Sequence, residues 1–348
     1  MPPLIIPIFL PAIGCREQCL FCNQKAAAKE TLPSSSLRNL IETSLDEIPY
    51  HKKDREKQVA FYGGSFTAIH RDDQVRYLND VQPFILSSQI DSIRISTRPD
   101  ALDEESLSLL KEYGVKTVEI GVQSMIDEIL LLSWRGHSAE DTIDAIRRLK
   151  QRGFEVGLQL MIGLPGDTCD CFLQTLDRII ELKPDFVRIH PTLVLKEAPL
   201  ETLWRDGRYS PLRLDEAVHW LKKGVIKLEN SSIPVARIGL QPTEELERDY
   251  LAGPYHPSFR QLVDSSIFFD MATSLLQNSQ KNGQVLFLCH PKEISNLRGQ
   301  KNENMMRLKE QFKLKEILID GRKELPRGTL GLLTQGGEIS IHKKSLAL

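Results

Sequence analysis

The chain has 348 residues, 41% of them hydrophobic and 26% charged, with a formal net charge of −2. That profile belongs to a folded globular protein and excludes disordered and fibrous classes. The near-neutral balance favours no particular partner, and no apolar run approaches the ~20 residues that a spanning helix needs, so no membrane partner is expected.

The first apolar stretch, Leu4–Leu10, ends near Ala12-Ile13-Gly14-Cys15, which imitates a lipoprotein cleavage site. No Lys or Arg precedes it, and Pro7 and Pro11 interrupt it, which argues against a signal peptide. It reads as a first β-strand running into a functional loop of a cytoplasmic protein, where clustered cysteines more often mean metal than disulfide. Further strands are expected at Gln58–Tyr62, Ser92–Thr97, Thr117–Val122, Glu155–Ile162 and Phe186–Leu193. Helical patterns lie near 35–48, 71–87, 103–112, 138–152, 168–182 and 213–229. Ser138 with Asp141, and Asp167-Thr168, are start signals for two of them.

Strands alternating with helices of this length predict an α/β fold with a parallel sheet, a partial (β/α)6 TIM-like barrel over 1–244. After about residue 240 the rhythm loosens. A helix at 258–277, strands at Val285–Leu288 and Glu316–Asp320, a helix at 303–313 and a Gly-rich tail suggest a small C-terminal α+β appendage, 245–348. Residues 281–348 hold thirteen Lys and Arg against seven Asp and Glu. A solvated surface is the ordinary reading of such an excess, and an anionic partner the alternative.

Cys15-x3-Cys19-x2-Cys22 follows the first strand. Three thiolates so spaced suit three irons of a 4Fe-4S cube and leave the fourth iron open. Structural zinc with a distant fourth ligand is the competing reading, although zinc sites usually pair two Cys-x2-Cys units and the chain has no second one. Cys169, Cys171 and Cys289 read as ordinary thiols.

In a parallel barrel, ligands are held at the C-terminal ends of strands. Four segments stand there: Gly63-Gly64, Thr97-Arg98, Gln123 followed by Arg135, and Ile162-Gly163. Paired glycines let backbone approach a ligand. Gln123, on one face with Glu119 and Gly121, suits hydroxyls, and Arg135 suits a carboxylate. Each segment also has a plain turn or cap reading, and His137 reads first as a helix-cap neighbour.

The cysteine loop, with Phe21 before its last Cys, resembles the radical S-adenosylmethionine (SAM) superfamily. The resemblance implies a 4Fe-4S cluster on Cys15, Cys19 and Cys22, with S-adenosyl-L-methionine on the open iron. One-electron cleavage then gives methionine and a 5′-deoxyadenosyl radical. It further implies that Phe21 lies against adenine, Gly63 and Gly64 meet the methionine amino group, and Thr97 and Arg98 contact cofactor or substrate. Gln123 would meet ribose, Arg135 the carboxylate, and Ile162 and Gly163 adenine.

Tyr62-Gly-Gly-Ser-Phe66, Ser96-Thr-Arg-Pro-Asp100, Glu119-Ile-Gly-Val-Gln-Ser124, Arg135-Gly-His137, Arg188-Ile-His-Pro-Thr-Leu-Val-Leu195 and Leu203-Trp-Arg-Asp-Gly-Arg-Tyr209 look like the Elongator catalytic-subunit family over residues 5–240. That branch modifies wobble uridine in transfer RNA. Gly163-Leu-Pro-Gly166 is also similar to the coproporphyrinogen oxidases. The chain departs from the Elongator pattern in its shorter first cysteine gap, in His190 for Tyr, and in leaving too few residues for an acetyltransferase domain. The resemblance implies an electron donor such as flavodoxin or ferredoxin, and RNA as a candidate partner. The alternatives are a non-catalytic iron–sulfur RNA-binding scaffold or a coproporphyrinogen-oxidase-like radical SAM enzyme. No side chain is assigned as a general acid or base.

Overall fold

The computed structural model describes residues 3–10, 15, 18–23, 33–277, 279 and 283–346. By internal contacts the chain groups into two compact units, Met1–Pro211 with Pro242–Gly253, and Leu212–Gln241 with Pro254–Leu348.

The first unit runs β1 (Leu4–Phe9), α1 (Ser34–Asp46), β2 (Lys57–Tyr62), α2 (Arg71–Leu86), β3 (Ser92–Thr97), α3 (Glu104–Glu112), β4 (Val115–Gln123), α4 (Asp127–Leu132), α5 (Ala139–Gln151), β5 (Glu155–Ile162), α6 (Cys169–Leu182), β6 (Phe186–Pro191), β7 (Val194–Leu195) and α7 (Pro199–Arg205). Strands β1 to β6 pair in parallel, each with the next in chain order. The order starts with β1 and reaches β6 without returning to β1, so the α/β sheet is an open, partial barrel.

Strand alternation divides this sheet chemically. One face carries Val59, Phe61, Ile93, Ile95, Val118, Ile120, Val156, Leu158, Val187 and Ile189, all buried. Burying each such side chain contributes roughly 1.5–3 kcal/mol. The other face carries Gln58, Arg94, Glu119 and Arg188. A closed barrel fills its interior with branched aliphatic residues. Here the inner face is polar, which suits a ligand better than a packed core.

Local signals set the helix starts. Ser138 caps α5 in a reciprocal capping box with Asp141, and Thr168 caps α6 by accepting from Cys171 N at 3.1 Å. Such caps are worth ~1 kcal/mol each. The sequence reading missed α4 and α7, of six and seven residues, because so short a run shows barely two turns of periodicity.

The second unit begins with α8 (Leu214–Asn230) and β8 (Val235–Ile238). The chain then returns to the first unit for α9 (Glu244–Asp249) and β9 (Tyr250–Ala252), which pairs antiparallel with β7. The second unit resumes with α10 (Phe259–Gln277), β10 (Gln284–Cys289), α11 (Ile294–Arg298), α12 (Glu303–Phe312), β11 (Glu316–Gly321), β12 (Thr329–Thr334) and β13 (Gly337–His342). Its sheet order is β11-β10-β12-β13, parallel between β10 and β11 and antiparallel elsewhere. The expected Gly-rich tail is thus a hairpin, turning between the paired Thr334 and Gly337. Among the described residues no helix is long and apolar enough to cross a membrane.

Candidate functional site

The site forms where β1 to β5 end. Gly63, just after β2, has φ of +103°. A Cβ there would lie 2.2 Å from the carbonyl oxygen of Leu10, so only glycine lets these two strand ends converge. The next residues carry β2 toward the cysteines. Ser65 is buried, and its backbone N–H favours the charged form of Cys15.

Cys15 and Cys22 are partly buried and Cys19 is buried. Burial first, and then neighbouring Cys19, push the Cys15 thiol up; burial and the same kind of coupling push Cys22 up to about 11. Desolvation disfavours each thiolate, and nearby thiolates repel one another. Arg98 and Arg135 act in the opposite direction on Cys15. Among the described residues, no three His, Cys, Asp or Glu are gathered closely enough to hold a metal. The turn is fixed from outside: Leu20 N donates to Ser133 O, Leu200 N to Leu20 O, and Asn23 Nδ2 to Lys196 O.

Arg135 joins the thiols to the strand ends. Its Nη1 donates to Cys19 Sγ at 3.2 Å and its Nη2 to Gly121 O at 2.5 Å. Register shifts at Gly121/Gln123, and Gln123 takes φ of +67°. That bulge lays the Gln123 amide and the Arg135 fork over the bare Cα of Gly121.

Thr97 hydrogen-bonds Ser65 and Thr67 through its hydroxyl, at 3.0 and 2.5 Å. Arg98 grips both oxygens of Asp100 and donates Nη2 to Arg135 O at 2.7 Å. Phe21 packs against two clusters, one of Leu20, Val194, Leu200 and Tyr209, the other of Ile129, Met161 and Leu164. Ile162 is fully buried. Gly163 N donates to Asp167 Oδ2 at 2.9 Å, and Gly163 O accepts from Tyr209 OH at 2.6 Å.

The structure thus brings Cys15, Cys19, Arg98, Arg135 and Gln123 together, while Phe21 packs against the cluster of Met161 and Leu164 that flanks Ile162 and Gly163 at the β5 end. The sequence places Ser65 and Tyr209 only within longer segments and Asp167 only at a helix start, and gives none of the three a role in the site. Tyr209 lies 46 residues from Gly163, and no local pattern announces such a partner. Burial pushes Asp167 up to about 7 despite three backbone donors, and burial raises Tyr209 above the ordinary phenol range. His137, desolvated and beside Arg135, is lowered to about 4 and is neutral.

Four buried atoms here lack a hydrogen-bond partner: Arg98 Nη1, Gln123 Oε1, Arg135 Nε and His137 Nδ1. Leaving one buried polar group unpaired costs ~1–3 kcal/mol. Orphaned donors and an acceptor beside three thiols are what a cluster with a polar, zwitterionic ligand would satisfy. The chemistry of the thiols and of the orphaned atoms therefore fits the group, while the three thiols are not drawn into a coordinating set.

Below this level lies a charged network. Glu119 accepts from Arg94 Nη1 at 2.8 Å and from Tyr62 OH at 3.0 Å, and Arg188 Nε stands 3.2 Å from its other oxygen. Burial, then the Glu119 charge, push Tyr62 up to about 12. Arg188 Nη2 also donates to Tyr62 OH.

Comparison with known proteins agrees with this geometry. The Radical SAM superfamily model matches residues 9–179, and the Radical_SAM C-terminal domain model matches residues 184–268. The tRNA uridine(34) acetyltransferase of Methanocaldococcus infernus is 39% identical over 127 residues, 36% of this chain and 24% of that protein. Elongator complex protein 3 of Bos taurus is 31% identical over 179 residues, 45% of this chain and 33% of that one. The chain therefore spans about a quarter to a third of the length of these relatives. A solved structure of M. infernus Elp3 with an N-terminal deletion has the same fold, with a TM-score of 0.59 at 24% identity, over 76% of this chain and 62% of that one. Thiol loop, strand-end contacts and matched segments converge, and the chain belongs to the radical SAM superfamily of enzymes.

Proposed function

We propose that Cys15, Cys19 and Cys22 hold a 4Fe-4S cluster on which S-adenosyl-L-methionine is cleaved, and that the radical acts on a nucleoside in RNA. When bound, the group supplies the electron that breaks a carbon–sulfur bond and leaves a 5′-deoxyadenosyl radical. The chain's own residues bind and orient. Arg135 donates one nitrogen to the Cys19 sulfur and keeps Nε for the methionine carboxylate. Gln123 offers Oε1 to a ribose hydroxyl. Gly63 and Gly64 let backbone meet the methionine amino group, Thr97 and Arg98 line that side, and Phe21, Ile162 and Gly163 border the adenine.

The observation that carries this reading is Arg135 spanning Cys19 and Gly121 beside four orphaned polar atoms. RNA as substrate rests on relatives that act on tRNA uridine(34) and on the Elongator-like segments. A small reductant such as flavodoxin or ferredoxin would supply the electron, in the cytoplasm.

The test is anaerobic reconstitution with iron and sulfide, followed by dithionite and S-adenosyl-L-methionine. The expected product is 5′-deoxyadenosine, absent in Cys19→Ser. An intact, reduced cluster that yields none overturns the reading.

A further inference from the structure

The second unit carries a feature that the radical chemistry does not use. A cleft of about 900 Å³ is lined by Gln261, Pro291, Ile294 and Ser295 together with Lys292, Arg298 and Lys301. The three cations are exposed, and among the described residues none is ion-paired with a carboxylate. The acid next to Lys292, Glu293, is buried and turned away, with both oxygens 3.0 Å from Gly328 N.

The cleft has a meaningful place in its fold. β10 and β11 are adjacent parallel strands joined through α11 and α12. Pro291 and Lys292 leave the C-terminal end of β10, the end at which open α/β sheets bind ligands. The far wall is the segment 299–302, where Lys301 and Asn302 both adopt left-handed backbone, with φ of +49° and +62°. Two consecutive non-glycine residues in that region cost ~1 kcal/mol or more each.

We propose that this cleft binds the sugar-phosphate backbone of RNA. Three unpaired cations around an open trough suit a string of phosphates better than a single small anion. The proposal deepens the RNA reading given above and rests on it for the choice of RNA.

The probe is a fluorescein-labelled, unmodified tRNA transcript, titrated by anisotropy with the reconstituted full chain at several salt concentrations. Lys292→Gln/Arg298→Gln/Lys301→Gln should weaken binding about tenfold or more. The slope of log K against log salt should become shallower by about 2, since each lost phosphate contact removes ~0.7–0.9. Lys301→Arg should bind as the parent does. Deoxyadenosine release without RNA should be unchanged in the triple variant, because its residues lie outside the cysteine site. Should the triple variant misfold, the exposed single changes Lys292→Gln and Lys301→Gln each carry the same test, at a slope change of ~0.7–0.9. Unchanged affinity and slope overturn the proposal, as does equal binding of duplex DNA. Loss of deoxyadenosine with RNA binding intact would instead overturn the catalytic reading and leave the cleft standing.

Discussion

Arg135 donates to Cys19 Sγ at 3.2 Å from Nη1 and to Gly121 O at 2.5 Å from Nη2, so one guanidinium couples a thiol of the cysteine loop to the bulged end of β4. Lysine cannot do this, because a point ammonium lacks the planar fork. Arg135→Lys should raise KM for S-adenosyl-L-methionine about ten- to a hundredfold, the loss of one charge-assisted hydrogen bond of ~1.5–3 kcal/mol. Steady-state deoxyadenosine formation checks it, and an unchanged KM would remove Arg135 from the site.

Gly63 is a sharp steric constraint in the first unit, set by backbone rather than by a side chain. Gly63→Ala puts a methyl 2.2 Å from Leu10 O at φ of +103°, so backbone must move. We expect a loss of ~2–4 kcal/mol, near the upper range for single substitutions. Gly207→Ala, at φ of +69° with nothing within 4 Å, should cost only ~1 kcal/mol of backbone strain. Urea midpoints for the two variants compare the effects directly.

Asp167 gives stability a pH dependence. Its carboxyl is held near 7 in the fold by burial, against ~3.9 for an unfolded Asp. The folded state therefore binds more protons between those values, and stability falls as pH rises from ~4 to 7. Asp167→Asn keeps an acceptor for Gly163 N and removes the titration. Melting temperature against pH should flatten in this window for the variant, with the gain over wild type appearing above pH 7.

Glu119 balances two cations, the buried Arg94 and the half-buried Arg188. Glu119→Gln keeps the shape and removes the counter-charge. Breaking a buried pair in this way costs ~3–5 kcal/mol. Denaturant unfolding should show it, and Glu119→Gln combined with Arg94→Met should recover a large part. If the single variant is as stable as wild type, the network is not what holds the inner face.

The sequence by itself determined the parts that depend on near neighbours. Six parallel strands were legible because apolar alternation and its helical spacing are local properties of Gln58–Tyr62 or Glu155–Ile162. The caps at Ser138 and Thr168, and the cysteine spacing, are equally local. Only the tertiary structure decided which of these groups meet. Tyr209 reaches Gly163, Leu20 is tied to Ser133 and Leu200, and Arg94, Glu119 and Arg188 come from three different strands. The bulge that brings Gln123 over Gly121 depends on how β4 and β5 register. Strand register and crossover packing act over tens of residues, so the open pocket was implied by motif but built by the sheet.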